Sequence, residues 1–329
     1  MISICKEEGF KIKKLLVLLF ITTMSLAACG QTEEQVNEGD RIKIVTTFYP
    51  VYEFTKQVVG EHADVTMLIE AGQDSHNFEP SPKEMIRIAE ADVFIYSSPF
   101  METWVSAVLD TIKDSDVLII HAAEDIPLYE EVEDEEHHDH EHEDDDHNHD
   151  EHDHSHAIDP HVWVDPVFAQ ELVEKISVGI QTADTEHAAV YAENAAAYKA
   201  ELVQLDEEFK KAFEKAEDRI FVVQHAAFGY LARRYGLEEI SISSLTSSQE
   251  ISPAQMAAVG RFIEANDIKT IFYQDSVNVK LAETLAEETD SELALLSTIE
   301  SVTEEDRAKG INYLSLMRQN LESLKTTIK

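Results

Sequence analysis

Histidine is concentrated in one short, acidic stretch of the chain. Residues 137–156, HHDHEHEDDDHNHDEHDHSH, contain nine of the fifteen histidines and no hydrophobic residue. The nine are His137, His138, His140, His142, His147, His149, His152, His154 and His156. Imidazoles and carboxylates both bind divalent transition metals, so this composition indicates many weak, overlapping metal sites. The alternative is an acidic spacer without a role, because low hydrophobicity and high charge are also typical of disordered segments.

Four further residues have positions that suit a single, fixed metal site. His225 directly follows an apolar segment, Asp275 lies just after another, and His76 lies in the loop after a third. His161 lies in AIDPHVWVDP, shortly after the histidine-rich stretch. Ligands of open α/β sheets bind outside the carboxyl ends of the strands, so we expect these four residues to converge.

Each of these residues also has an ordinary interpretation. A single histidine is more often a surface or hydrogen-bonded residue than a ligand, and Asp275 could cap a helix. We apply that interpretation to the histidines that lack the shared position after a strand, which are His62, His121 and His187.

The elements that must position these residues alternate between strand and helix. Short apolar segments predict four buried parallel strands in the first half of the chain, at residues 42–47, 64–69, 92–97 and 117–122. They predict four more in the second half, at residues 220–224, 240–245, 270–274 and 292–297. The spacing of Ser81, Pro82 and Glu84 predicts a helix start, and a single long helix is predicted over residues 304–325.

A long helix is predicted between the two halves. Apolar residues recur every three or four positions in residues 185–217, without an intervening Gly or Pro. A coiled-coil partner is one explanation, but α/β sequence on both sides favours a rigid rod packed along two lobes. The predicted fold class is therefore α/β, with two lobes of central parallel sheets joined by one long helix and the metal site in the cleft.

The N-terminus predicts export and attachment to a membrane. A basic region that ends at Lys14 precedes an apolar stretch, residues 15–28, which is shorter than the ~20 residues that span a bilayer. It ends in LAAC, where Cys29 is the only cysteine after the apolar stretch and is predicted to be lipidated. A chance cysteine after an ordinary cleavage site is the alternative. Since Cys5 would be removed, any metal ligands of the mature protein are His, Asp or Glu.

These features predict five regions. They are a signal peptide (1–28), a lipid-anchored tether (29–40), an N-terminal lobe (41–184) with a disordered loop (130–156), a linking helix (185–217) and a C-terminal lobe (218–329). The formal charge of −40, of which residues 130–156 contribute −15, argues against nucleic acid as a partner.

Several of these stretches together resemble a known family. The chain is similar to the metal-binding lipoproteins of ABC-type zinc and manganese uptake systems, and most closely to zinc members from Gram-positive bacteria. The stretches that carry the resemblance are residues 74–96, 159–167, 224–237, 251–275 and 299–325. An acidic, histidine-rich loop before the DPH motif is also typical of zinc members.

The resemblance implies two α/β lobes, one long helix and a metal ion in the cleft. It implies His76, His161 and His225 as ligands, with Zn²⁺ as cargo because manganese members usually have a carboxylate in the third position. The fourth ligand is a carboxylate or water, for which we expect Asp275, with Gln274 or water as alternatives. Three imidazoles and one oxygen also suit tetrahedral zinc on chemical grounds.

The resemblance further implies how the protein works. We expect a monomer, not an enzyme, held on the outer face of the cytoplasmic membrane, that delivers zinc to an ABC permease and its ATPase. The chain has no G-x-x-x-x-G-K-[ST] sequence, so ATP hydrolysis is assigned to the partner. The alternatives are a manganese or iron capture protein of the same fold, a zinc hydrolase, and a surface adhesin or metal store.

Deleting the histidine-rich stretch should remove weak metal sites and leave one tight site. The reason is that many interchangeable histidines on a flexible chain bind metal more weakly than a preformed site. Calorimetric titration of a chain lacking residues 133–156 with Zn²⁺ measures this directly. Loss of the tight site in that variant would contradict the expectation.

Overall fold

The computed structural model describes residues 41–129, 158–243, 252–274 and 279–329. Cys29, the nine histidines of the acidic stretch and Asp275 lie outside these residues. Arg41–Lys329 forms one compact unit, so the predicted boundaries between the two lobes stay a prediction. None of the helices within the described residues is both long and apolar enough to cross a bilayer.

The first half of the chain forms a four-stranded parallel sheet in the order β2-β1-β3-β4. Its strands are β1 (Ile42–Thr46), β2 (Ala63–Met67), β3 (Val93–Tyr96) and β4 (Leu118–His121). The connecting helices are α1 (Tyr49–Val59), α2 (Pro82–Ala89) and α3 (Val105–Ile112). All four residues of β3 are buried, as expected for an apolar strand that is covered on both faces.

Two long helices follow this sheet. They are α4 (Pro166–Ala183) and α5 (Ala188–Phe213), and a short 3₁₀ turn at Val162–Val164 precedes them. The Asp165 side chain caps α4 by accepting a hydrogen bond from Val167 N. The predicted apolar stripe of the linking helix is buried, and it includes Tyr191, Ala195, Tyr198, Leu202, Leu205 and Phe209.

The second half repeats the arrangement, with a parallel sheet in the order β6-β5-β7-β8. Its strands are β5 (Ile220–His225), β6 (Glu238–Ser243), β7 (Thr270–Tyr273) and β8 (Glu292–Leu295). Its helices are α6 (Gly229–Tyr235), α7 (Pro253–Ala265), α8 (Lys280–Thr289), α9 (Glu304–Ala308) and α10 (Tyr313–Leu324). Helix α5 contacts α1 and α4 from the first half and α6 and α10 from the second. Two sheets of parallel strands with covering helices confirm the predicted α/β class.

The prediction of one helix over residues 304–325 was wrong. The chain leaves α9 at Gly310, which has a φ of 85°, a left-handed conformation that glycine adopts without a Cβ clash. Asn312 then starts α10, because its side chain accepts a hydrogen bond from Ser315 N in a capping box. Gly310 and Asn312 are the sequence signals for this break, and the prediction of one helix did not take them into account.

Trp163 connects the two halves of the chain. Its side chain is fully buried, and its indole Nε1 donates a hydrogen bond to Thr298 O at 2.7 Å. The Tyr313 hydroxyl donates to Trp163 O at 2.5 Å. Both partners lie in the segment that follows β8, so this one residue holds that segment against the first half.

Replacing Trp163 by phenylalanine should lower the free energy of unfolding by about 1–3 kcal/mol more than the same change at Trp104. The substitution at Trp163 leaves the buried carbonyl of Thr298 without its hydrogen-bond donor. A buried acceptor without a donor costs its full desolvation penalty. Trp104 is also buried, but its Nε1 has no hydrogen-bond partner among the described residues. Urea denaturation of both metal-free variants gives the comparison, and equal losses would contradict the role assigned to the indole N–H.

Candidate metal centre

Four side chains converge between the two sheets. His76, His161, His225 and Glu300 each place one nitrogen or oxygen so that these four atoms lie within 4.8 Å of one another. His225 ends β5, and Glu300 lies in the loop that follows β8. His76 lies in the loop between β2 and α2. Within the described residues this is the only such group of three or more His, Cys, Asp or Glu.

The spacing of the ligand atoms suits a small tetrahedral ion. The Nε2 atoms of His76 and His161 are 3.3 Å apart, and Glu300 Oε1 is 3.8 Å and 3.7 Å from them. A tetrahedron with metal–ligand distances of ~2.0–2.1 Å has ligand atoms about 3.3–3.4 Å apart. The His225 ring is centred 5.6 Å from that of His76 and 5.3 Å from that of His161. The wider separations, which reach up to 4.8 Å, would have to contract for the group to enclose Zn²⁺.

Water has little access to the group. His161 is fully buried, and His225 is 1% and Glu300 7% exposed. The His76 side chain is 9% exposed, which makes it the most accessible of the four. An ion would therefore bind in a largely dry cage and meet solvent mainly beside His76.

Asp159 fixes the orientation of the His161 ring. Its Oδ1 lies 2.8 Å from His161 Nδ1 and accepts a hydrogen bond from His161 N at 2.9 Å. A carboxylate beside Nδ1 favours the tautomer with the proton on that nitrogen. The lone pair of Nε2 is then free to bind a metal ion in the centre of the group.

Glu300 is held from the first half of the chain. Ser75 Oγ donates to Glu300 Oε2 at 2.5 Å. The other oxygen, Oε1, is buried and has no hydrogen-bond partner among the described residues. A buried carboxylate oxygen without a donor is costly unless a cation satisfies it. The preceding residue, Ile299, has a φ of 61°, a strained conformation for a β-branched residue that accompanies the turn into the site.

The ionisation of Glu300 and His76 is coupled. Burial opposes ionisation of Glu300, but the polar contact and charge interaction with His76, together with the neighbouring imidazoles, hold its pKa well below the usual value. Burial likewise opposes a charge on His76, yet the neighbouring Glu300 carboxylate raises its pKa above 6.5. The metal-free site therefore favours an ionised Glu300 beside a protonated His76, and a metal ion must displace that proton.

Comparison with known protein families gives a match over residues 44–327 to ZnuA, zinc-uptake complex component A, periplasmic. The chain belongs to the ZnuA family. It is 40% identical over 306 residues to the high-affinity zinc uptake system protein ZnuA of Bacillus subtilis strain 168, covering 92% of this chain and 93% of the relative.

Solved structures of ZnuA-family relatives have the same fold. Zn(II)-bound AdcA from Streptococcus pneumoniae is 39% identical with a TM-score of 0.74, over 87% of this chain. This chain spans only 57% of that longer protein. The laminin-binding protein Lmb of Streptococcus agalactiae, described as bifunctional with adhesin and metal-transporting activity, is 34% identical with a TM-score of 0.74. That match covers 88% of this chain and 100% of Lmb.

The structure brings together the three histidines that the sequence singled out, but it adds a fourth residue that sequence reasoning missed. Glu300 lies three residues beyond the predicted strand at 292–297. The criterion that selected His225, a metal-binding side chain just after a strand, would have found it there. Asp275 lies outside the described residues and stays a prediction. Gln274 is buried and donates its Nε2 to His225 O at 3.3 Å, so it supports the end of β5 that carries His225.

The other three described histidines lie outside the group. His187 Nδ1 is 2.8 Å from Asp184 Oδ2, and its ring is centred 4.6 Å from that of His62. His121 stacks on Tyr96 with ring centroids 4.9 Å apart. Each therefore has a local packing or hydrogen-bonding environment of its own.

Proposed function

We propose that this protein captures Zn²⁺ outside the cytoplasmic membrane and delivers it to an ABC permease for import. The observation that carries the proposal is the buried group of three imidazoles and one carboxylate, with ligand atoms within 4.8 Å of one another. Membership of a family described as a zinc-uptake component supports import as the direction of transport. The permease and its ATPase supply the energy that this chain does not.

His76, His161, His225 and Glu300 are the proposed ligands. Nitrogen-rich, four-coordinate sites suit Zn²⁺, whereas Mn²⁺ prefers oxygen-rich sites of higher coordination. A carboxylate ligand also contributes a negative charge to balance the ion. Asp275 remains the alternative source of the fourth oxygen, and the two can be separated by substitution.

The same ligand set favours a carrier over an enzyme. Catalytic zinc sites usually have three protein ligands and leave the fourth position to water or substrate. Here a fourth side chain, Glu300, points its Oε1 at the imidazoles. A zinc ion with four protein ligands is held firmly but has no coordination position for a reacting water.

A lipid anchor would keep the captured ion near the permease. We propose that Cys29 is acylated and that the monomer is tethered to the outer face of the cytoplasmic membrane. The LAAC sequence after an apolar stretch supports this, and relatives from Streptococcus pneumoniae are named zinc-binding lipoproteins. Metabolic labelling with a fatty acid, compared between the wild type and Cys29→Ser, tests the anchor.

Competition between metals tests the proposed cargo. At equilibrium in dialysis against Zn²⁺ and a hundredfold excess of Mn²⁺, we expect one tightly held Zn²⁺ per chain. A chain that retains Mn²⁺ under these conditions would contradict zinc as the cargo. Hydrolysis of ester or peptide substrates by the zinc-loaded protein, lost when His161 is replaced by alanine, would instead indicate an enzyme.

A second candidate function is adhesion. The similarity to Lmb, which is described as both an adhesin and a metal transporter, favours it. Binding of the purified protein to immobilised laminin, measured with and without Zn²⁺, tests it directly. Absence of saturable binding would leave zinc capture as the function.

A further inference from the structure

Helix α6 follows His225 and contacts the segment that carries His161. The Tyr230 hydroxyl donates to Asp159 O at 2.8 Å. Arg234 Nε donates to Asp165 Oδ2 at 2.8 Å. One short helix from the second half thus contacts the first half on both sides of a proposed zinc ligand.

Gly229, the first residue of α6, also lies close to this segment. A Cβ added to Gly229 would lie 2.9 Å from Asp159 Oδ2, closer than carbon and oxygen normally approach without a bond. The Asp159 side chain has little freedom to move away. It is 8% exposed, and its other oxygen accepts from His161 N and lies 2.8 Å from Nδ1 of the His161 ring.

We infer that Gly229 is a positioning residue of the zinc site, an inference that rests on the proposed function. The missing side chain leaves room for the Asp159 carboxylate beside α6. Asp159 in turn holds the proton on His161 Nδ1 and directs Nε2 at the metal. A side chain at position 229 forces the Asp159 carboxylate or the start of α6 to shift, and a shift of the carboxylate weakens its contact with the imidazole.

The test compares Gly229→Ala with the same substitution at a glycine in another helix. Gly229→Ala should weaken zinc binding by about ten- to a hundredfold, the usual effect of disturbing a residue that orients a metal ligand. The control is Gly260→Ala in α7, where the added Cβ meets Leu285 Cδ1 at 3.6 Å, an ordinary contact. Its zinc affinity should equal that of the wild type. Competition with a chromogenic chelator measures the zinc affinity of the wild type and of both variants.

A spectroscopic measurement separates positioning from general destabilisation. In the zinc-loaded wild type and in Gly260→Ala, the proton on His161 Nδ1 should give the same imidazole NMR resonance. In Gly229→Ala that resonance should shift or be lost through exchange. Thermal unfolding of the metal-free proteins shows in addition whether each variant remains folded.

A double-substitution cycle keeps the inference testable if Gly229→Ala folds poorly. Asp159→Ala removes the group that the new methyl would displace, so adding Gly229→Ala to it should cause no further loss of zinc affinity. Additive losses would overturn the inference, as would a Gly229→Ala affinity within twofold of the wild type. A wild-type chain without tight zinc binding would overturn the proposed function as well, so the two failures are distinguishable.

Discussion

Replacing Glu300 by alanine should weaken zinc binding by at least about a hundredfold. Breaking a buried charge pair by removing one partner costs ~3–5 kcal/mol, and each ~1.4 kcal/mol corresponds to tenfold in affinity. The bound ion would lose its only anionic ligand among the described residues of the group. Ser75 Oγ would also lose its acceptor, the Oε2 oxygen of Glu300. Equilibrium competition against a chelator of known zinc affinity measures the loss.

Asp275→Ala is the control for this prediction, because the sequence favoured Asp275 as the oxygen ligand. If Glu300 is the fourth ligand, Asp275→Ala should bind zinc within about twofold of the wild type. Glu300→Gln retains the size of the side chain and an oxygen acceptor for Ser75, while an NH2 group replaces the charged Oε1, so it separates loss of the ligand oxygen from loss of the whole side chain. A large loss in Asp275→Ala together with normal affinity in Glu300→Ala would assign the fourth position to Asp275.

Much of this architecture could be predicted because each strand is a short local pattern. Within the predicted segment at 92–97, residues 93–96 are apolar, and the described strand Val93–Tyr96 is buried at every position. His76 and His225 were found by a positional rule, namely that ligands cluster at the carboxyl ends of parallel strands, and His161 by the short sequence AIDPHVWVDP around it. Both inferences need only residues that are close together in the sequence.

Contacts between distant residues could not be predicted in this way. Trp163 and Thr298 are separated by 135 positions, yet their hydrogen bond fixes the segments that carry His161 and Glu300. Each of these two proposed ligands lies two residues from one end of that bond. The close approach of Gly229 to Asp159 is similarly invisible in the sequence, since neither residue type is unusual where it stands.

The contacts between the two halves also limit how the ion can leave. Ser75 holds Glu300, and Gly72 N donates to Ser301 Oγ at 3.4 Å, so the loop with His76 is attached to the loop with Glu300. A wide rotation of one half against the other would break these bonds together with the Trp163 contacts. We therefore expect release through local movement of the loops, with His76, the most exposed ligand, moving first.

Acidification from pH 7.5 to 5.5 should weaken zinc binding by at least about tenfold. Zinc binds only the unprotonated imidazole, so each proton that it displaces lowers the affinity about tenfold per pH unit below the pKa. The pKa of His76 is raised by the adjacent Glu300 carboxylate, so the loss begins above the ordinary value of 6.5.

Acidification should not destabilise the metal-free fold over the range in which it weakens zinc binding. This difference separates zinc release from unfolding. The raised pKa of His76 stabilises the metal-free fold below pH 6.5, and this contribution is lost only as the pH rises through the raised value. The lowered pKa of Glu300 stabilises the fold above pH 4.5, and this contribution is lost only well below that value. Between pH 5 and 6 both contributions remain, whereas the proton on His76 opposes zinc. Chelator competition and thermal unfolding measured at each pH should therefore diverge, and parallel losses of affinity and of metal-free stability would contradict the coupling of His76 to Glu300.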